Sequence, residues 1–194
     1  MAAGTADLVR AFIAIALEPG LTVELEKIQR QFQSQLSHDA VRWARPEQVH
    51  LTLRFLGNVS RAQLADLTSS LIRAPAGITP FQLALEGAGC FPNMKNPRVV
   101  WIGINGELDS LRRLQIHIER VTSGFGDQTE KRPFQAHLTI GRPRVPGTDW
   151  TAALAAAATA TIGRFAVAHL VLVQSQLSPK GSIYTPLVEA PLAA

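Results

Sequence analysis

The chain has a single cysteine, Cys90, among its 194 residues. One cysteine closes no internal disulfide, and no cysteine and histidine cluster has zinc-site spacing, so a reducing cytoplasm is expected and no metal or other cofactor is predicted. Long apolar runs are missing as well. Phe12 to Leu17 is too short to span a bilayer, its basic flank is poor and no cleavage site follows, so a first strand is predicted and no membrane partner. The patterns G-x-x-x-x-G-K-[ST], H-E-x-x-H and G-x-S-x-G are all absent, and Lys180-Gly181-Ser182 lacks the glycine frame of a phosphate loop. Lysine is confined to Lys27, Lys95, Lys131 and Lys180, so the formal charge of +4 and the pI near 9.8 rest on arginine. Guanidinium suits phosphate oxygens, which favours an anionic or nucleic-acid partner; a compositional bias toward arginine and alanine explains the same numbers.

What remains is an ordinary folded composition, 46% hydrophobic and 18% charged, in a length that fits a single domain over residues 1–194, with one sizeable core or two small lobes sharing one. Strand and helix patterns alternate. Val9 to Leu17 reads as a strand, and Leu21, Leu25, Ile28, Phe32 and Leu36 recur at helical spacing after Pro19-Gly20. A strand over His50 to Gly57 follows, and Ser60 with Gln63 forms a capping box that opens a helix to about Ile72. Strands are predicted at Phe81 to Leu85 and Val99 to Ile104, with Gly87 to Arg98 as the loop between them. Leu108, Leu111, Leu114, Ile118 and Val121 mark a third helix, closed by Gly124 and Gly126. After a strand at His137, Thr148 or Asp149 caps an alanine-rich helix over Trp150 to Thr161. One long strand, Phe165 to Gln176, and a short one near Tyr184 end the pattern.

Two of the five histidines fall in nearly the same tetrapeptide: His50-Leu51-Thr52-Leu53 and His137-Leu138-Thr139-Ile140. They stand 87 positions apart, and the same shift carries Ala11 to Leu17 onto Arg98 to Ile104. This degenerate repeat predicts two similar α+β lobes about a pseudo-twofold axis. In a strand, residues two apart share a face, so His50 with Thr52, and His137 with Thr139, turn away from their apolar neighbours. Lobes packed with those faces together enclose two imidazoles and two hydroxyls. In-line displacement at phosphorus needs a base for the attacking oxygen and an acid for the leaving oxygen, and two groups with ordinary pKa values of about 6.5 divide those tasks near neutral pH without a metal. Arg142, just past the second motif, is placed to assist at the phosphate. His38, His117, His169 and Cys90 read as structural or solvent-facing.

These residues resemble the 2H phosphoesterase superfamily, in particular its RNA 2′,3′-cyclic phosphodiesterase (2′-5′ RNA ligase) branch. Arg10 to Ala14, Trp43 to Gly57, Phe91-Pro92, Val100 to Gly103, Ser175 and Gly181 to Tyr184 extend the resemblance over nearly the whole chain. It implies an α+β, bilobal, pseudo-twofold fold with two antiparallel sheets lining a central cleft and helices outside. It implies hydrolysis of a terminal RNA 2′,3′-cyclic phosphate to a 2′-phosphate, and 2′-5′ joining as the reverse of that chemistry. Carried over by motif, His50 is the proton donor and His137 the proton acceptor, Thr52, Thr139 and Arg142 hold the phosphate, and Phe12 stacks on the terminal base or is a core aromatic. The two motifs are too symmetric to assign acid and base by themselves. Asn58 departs from the family, which often has an acid there. The expected partner is RNA with a cyclic phosphate end and the expected state a monomer. The alternatives are a small cyclic nucleotide or 2′-5′ oligonucleotide as substrate, or a non-catalytic RNA-binding module.

Overall fold

In the first strand, β1 (Leu8–Ala16), Ala11, Ile13 and Ile15 enter the main hydrophobic core while Phe12 and Ala14 join a second, smaller apolar cluster on the other side of the sheet. The period-2 alternation of a strand produces this split. The structure, a computed structural model, describes residues 7–127, 132–157, 161–179 and 181–193. After β1 come α1 (Pro19–Gln35), β2 (Val41–Trp43), β3 (His50–Ser60), α2 (Leu64–Arg73), β4 (Phe81–Phe91), β5 (Val99–Gly106), α3 (Leu108–Val121), β6 (His137–Pro143), α4 (Thr151–Ala157), β7 (Thr161–Val167), β8 (His169–Ser178) and β9 (Gly181–Pro191). Pro19 opens α1, where a missing N–H costs nothing, and Leu21, Leu25 and Phe32 bury one helical face.

All nine strands belong to one sheet in the order β7-β4-β5-β6-β3-β1-β8-β9, with β2 paired to β6, and every pairing among the named strands is antiparallel. The order is symmetric about the β6–β3 seam: β5 matches β1, β4 matches β8 and β7 matches β9. The expected pseudo-twofold, α+β architecture is therefore present. Its two sheets are the halves of one, joined through the single pair Leu51 and Leu138. The helices brace across this seam. The first helix leaves β1 but packs against β7 and α4, whereas α3 leaves β5 and packs behind β3.

Each motif strand carries the same irregularity. Ile13 pairs with Arg54 and Ala14 with Thr52, leaving Leu53 as an extra residue; Val100 pairs with Gly141 and Trp101 with Thr139, leaving Ile140. Such a bulge inverts the alternation beyond it.

Several boundaries differ from the sequence reading. Gly87 to Phe91 continue β4 through a bulge between Leu85 and Ala88, so the loop is only 92–98. Gly87 has φ 71, and its turn signal marks the bulge instead of the end of the strand. The predicted run Phe165 to Gln176 is two strands broken at Ala168, β7 on β4 and β8 on β1, at opposite sides of the seam. Unbroken apolar character hides such a crossing. Strand β9 runs eleven residues where a short strand is expected. The Ser60 hydroxyl meets the Gln63 side chain at 3.1 Å, and a 3-10 turn over Arg61–Gln63 precedes α2, so the reciprocal capping box does not form. Asp149 does serve the start of α4, accepting the Thr151 N–H at 2.9 Å; the helix is described to Ala157, and Thr161 already belongs to β7.

Candidate active site

The Leu51–Leu138 pair dictates the centre of the cleft. In an antiparallel register built on that pair, His50 lies across from Thr139 and Thr52 across from His137. All four line one cleft of about 550 Å³, together with Phe12, Phe55, Arg142, Ser175 and Tyr184. The bulges decide the rest of the lining: Leu53 and Arg54 are both buried away from the cleft, and Phe55 and Arg142 turn into it. The structure thus brings together all six residues predicted for the site.

Both imidazoles are fixed in the same way. The Nδ1–H of His50 donates to the Gln48 carbonyl at 2.7 Å, and that of His137 to the Gln135 carbonyl at 2.7 Å. A carbonyl only accepts, so in each neutral ring the proton is on Nδ1 and Nε2 is left to exchange protons in the cleft. Burial, the largest influence on each, pushes both pKa values below the usual histidine value, and the backbone hydrogen bonds partly oppose it. The positive charge of Arg142 depresses His137 further.

Their aromatic surroundings differ. Phe12 stacks on His50 with centroids 4.5 Å apart and planes 20° apart, and Tyr184 meets the same imidazole nearly at right angles, 5.3 Å away. Against His137 stands Phe91, at 5.0 Å and 87°. Phe12 also lies parallel to Phe55, is edged by Tyr184 and is only 3% exposed. It lines the cleft as a buried support beneath His50.

Behind the first motif, Arg54 is 7% exposed and pairs with Glu119 at 3.1 Å; it also donates to Thr122 Oγ1 and to the carbonyls of Glu119 and Phe125. This ties β3 to the end of α3. The following turn is fastened by Asp127, whose carboxylate accepts from both the backbone and the side-chain amide of Asn58, each at 2.8 Å. An acid at 58 would repel that carboxylate, which accounts for the departure noted above. Behind the second motif, a Cβ on Gly141 would meet Val41 at 2.7 Å and the Trp43 ring at 3.1 Å, so glycine is what admits β2.

Sequence reasoning missed Phe55, Phe91, Arg42 and Arg45. The bulge hides Phe55, while the two arginines stand in a short segment with no pattern of its own. Among the described residues, no group of three or more His, Cys, Asp or Glu gathers as a metal-ligand set, and no helix is long and apolar enough to cross a membrane.

A family model described as LigT-like phosphoesterase matches the chain twice in tandem, over residues 15–101 and 102–184. The second match begins 87 residues after the first, the same offset as between the two histidines. The chain belongs to the LigT-like phosphoesterase family. A relative from Methanothermobacter thermautotrophicus named RNA 2′,3′-cyclic phosphodiesterase is 34% identical, covering 92% of this chain and 96% of its own length. One of the same name from Archaeoglobus fulgidus is 33% identical, covering 92% and 97%. Among solved structures of this phosphoesterase fold, TT0787 of Thermus thermophilus superposes with a TM-score of 0.77 at 27% identity, over 94% of this chain and 97% of that one. LigT of E. coli complexed with 3′-AMP gives 0.76 at 26%, over 97% and 100%.

Proposed function

We propose that this LigT-like phosphoesterase opens a 2′,3′-cyclic phosphate at the end of an RNA chain, leaving a 2′-phosphomonoester, by acid–base catalysis between His137 and His50 and without a metal. The observation that carries this reading is the mirrored pair of imidazoles in one cleft, each pinned through Nδ1 and each across the seam from the other motif's threonine. The relatives' names supply the substrate class.

In the step itself, water attacks phosphorus while His137 Nε2 takes its proton, the bond from phosphorus to the 3′ oxygen breaks, and protonated His50 gives that oxygen a proton. Solvent exchange then resets both rings. Thr52, Thr139 and Arg142 donate to the non-bridging oxygens as charge gathers there. The direction has physical support in the surroundings of the rings. Arg142 disfavours an imidazolium at 137, which suits a base, whereas no cation is among the causes acting on His50, whose ring lies on the face of Phe12. With the 5′-hydroxyl of a second RNA end attacking in place of water, the same pair forms a 2′-5′ linkage.

The test uses an RNA oligonucleotide ending in a 2′,3′-cyclic phosphate, with EDTA present. The expected product is a phosphatase-sensitive 2′-phosphate, and His50→Ala and His137→Ala each lower kcat by about 10²–10⁴-fold. Full activity in either variant would exclude the two-histidine mechanism. Binding without turnover by the unaltered protein would point to an RNA-binding module, and turnover of a free cyclic nucleotide alone to a small-molecule enzyme.

A further inference from the structure

The cleft holds more positive charge than one cyclic phosphate requires. A phosphodiester carries a single negative charge, and Arg142 with one imidazolium and two hydroxyls already meets it. Arg42 and Arg45 line the same cleft, are exposed, and form no ion pair or side-chain hydrogen bond among the described residues. Arg42 is moreover placed directly across β2 and β6 from Arg142. Like charges in such a pair repel each other, a penalty that an anion lying between them removes.

The position of Arg42 gives this charge a direction. A Cβ at Gly181 would lie 2.7 Å from an Arg42 guanidinium nitrogen, so the side chain reaches from β2 toward the start of β9. At that rim the cleft is lined by Leu177 and Ile183, which are 76% and 50% exposed although both are large and apolar. Unpaired guanidinium groups beside exposed aliphatic side chains match what a nucleotide presents, a phosphate and the flat face of a base.

Building on the cyclic phosphodiesterase reading, we infer that Arg42 and Arg45 with the β8–β9 hairpin form a second nucleotide subsite. It holds the internucleotide phosphate on the 5′ side of the terminal nucleoside and covers the penultimate base with Leu177 and Ile183. The enzyme then selects the end of an RNA chain over a free cyclic nucleotide.

The experiment compares kcat/KM for adenosine 2′,3′-cyclic phosphate with that for the dinucleotide ending in the same group, which adds one phosphate and one nucleoside. The unaltered enzyme prefers the dinucleotide, and Arg42→Gln/Arg45→Gln lowers the preference ratio by about tenfold or more, the worth of one charge-assisted hydrogen bond. The salt dependence of log KM for the dinucleotide also becomes shallower by about 0.7 for each phosphate that the variant no longer neutralises. Leu177→Ser/Ile183→Ser lowers the ratio and leaves the salt slope as it was. A ratio unchanged in the arginine variant, with melting temperature preserved, overturns the subsite, as does an equal loss on both substrates, which would place the arginines on the reacting phosphate. Failure of the unaltered enzyme to open either substrate overturns the parent reading and the subsite with it.

Discussion

The two motif strands agree for four residues and then part. His50-Leu51-Thr52-Leu53 continues as Arg54-Phe55, and His137-Leu138-Thr139-Ile140 as Gly141-Arg142. Because both strands bulge at the fourth residue, the sixth turns toward the cleft in each; at the fifth, Arg54 is buried away from it and Gly141 lines it without a side chain. At the fifth, one half has a buried cation clamped to α3, and the other has no side chain at all, which lets Trp43 approach. At the sixth, one half offers an aromatic ring and the other a guanidinium. His50 is therefore set in an aromatic wall and His137 beside a cation, and a repeated sequence yields two unlike proton sites. Duplication supplies the pair of histidines, and the residues after the repeat give each a different setting.

Stability separates the fifth positions most strongly. Arg54→Ala removes the partner of Glu119 and Thr122 and lowers unfolding free energy by about 2–4 kcal/mol, whereas Gly141→Ala, which must displace Val41 and Trp43, costs about 1–3 kcal/mol. Urea denaturation of both variants checks the order, and a smaller loss at Arg54 would contradict the clamp. The sixth position is tested by Arg142→Gln. Without its guanidinium on the phosphate, kcat/KM falls by about tenfold to a hundredfold, and without its charge the pKa of His137 rises. With His137 as the base, the acid limb of the kcat/KM profile moves to higher pH; movement of the basic limb instead would exchange the roles of the two histidines. The smallest effect treats the two rings alike. Both have folded pKa values depressed below about 6.5. As pH falls below that value the unfolded chain gains protons that the folded histidines refuse, so stability is full above it and declines toward their lower folded values. Melting temperatures between about pH 7.5 and pH 5 should fall for the unaltered protein and fall less for His50→Gln/His137→Gln.

The sequence made the chemistry more legible than the topology. The H-x-T pattern needs only a strand's alternation to put its polar pair on one face, and recurrence at a fixed offset marks both copies. The break at Ala168 left no trace because neither glycine nor proline accompanies it, and β7 and β8 are equally apolar although they serve different halves. Phe12 was legible as a site residue but not in its setting: a sequence shows an aromatic on the cleft face and cannot show that His50 stacks on its ring. Arg142 was found by its distance along the chain from His137, and the bulge at Ile140 is the physical reason it arrives in the cleft.

The single Leu51–Leu138 bridge between the halves has a mechanical meaning. If one half rotates against the other about this line, the displacement of any atom grows with its lever arm from the seam. Each histidine is one residue from the pivot, so its arm is short and the gap between the two imidazoles changes least. The edge strands β7 and β9 are at the far ends of the arms and travel most. Such a rotation would shift the outer strands while the separation of His50 and His137, set beside the seam, is held nearly constant.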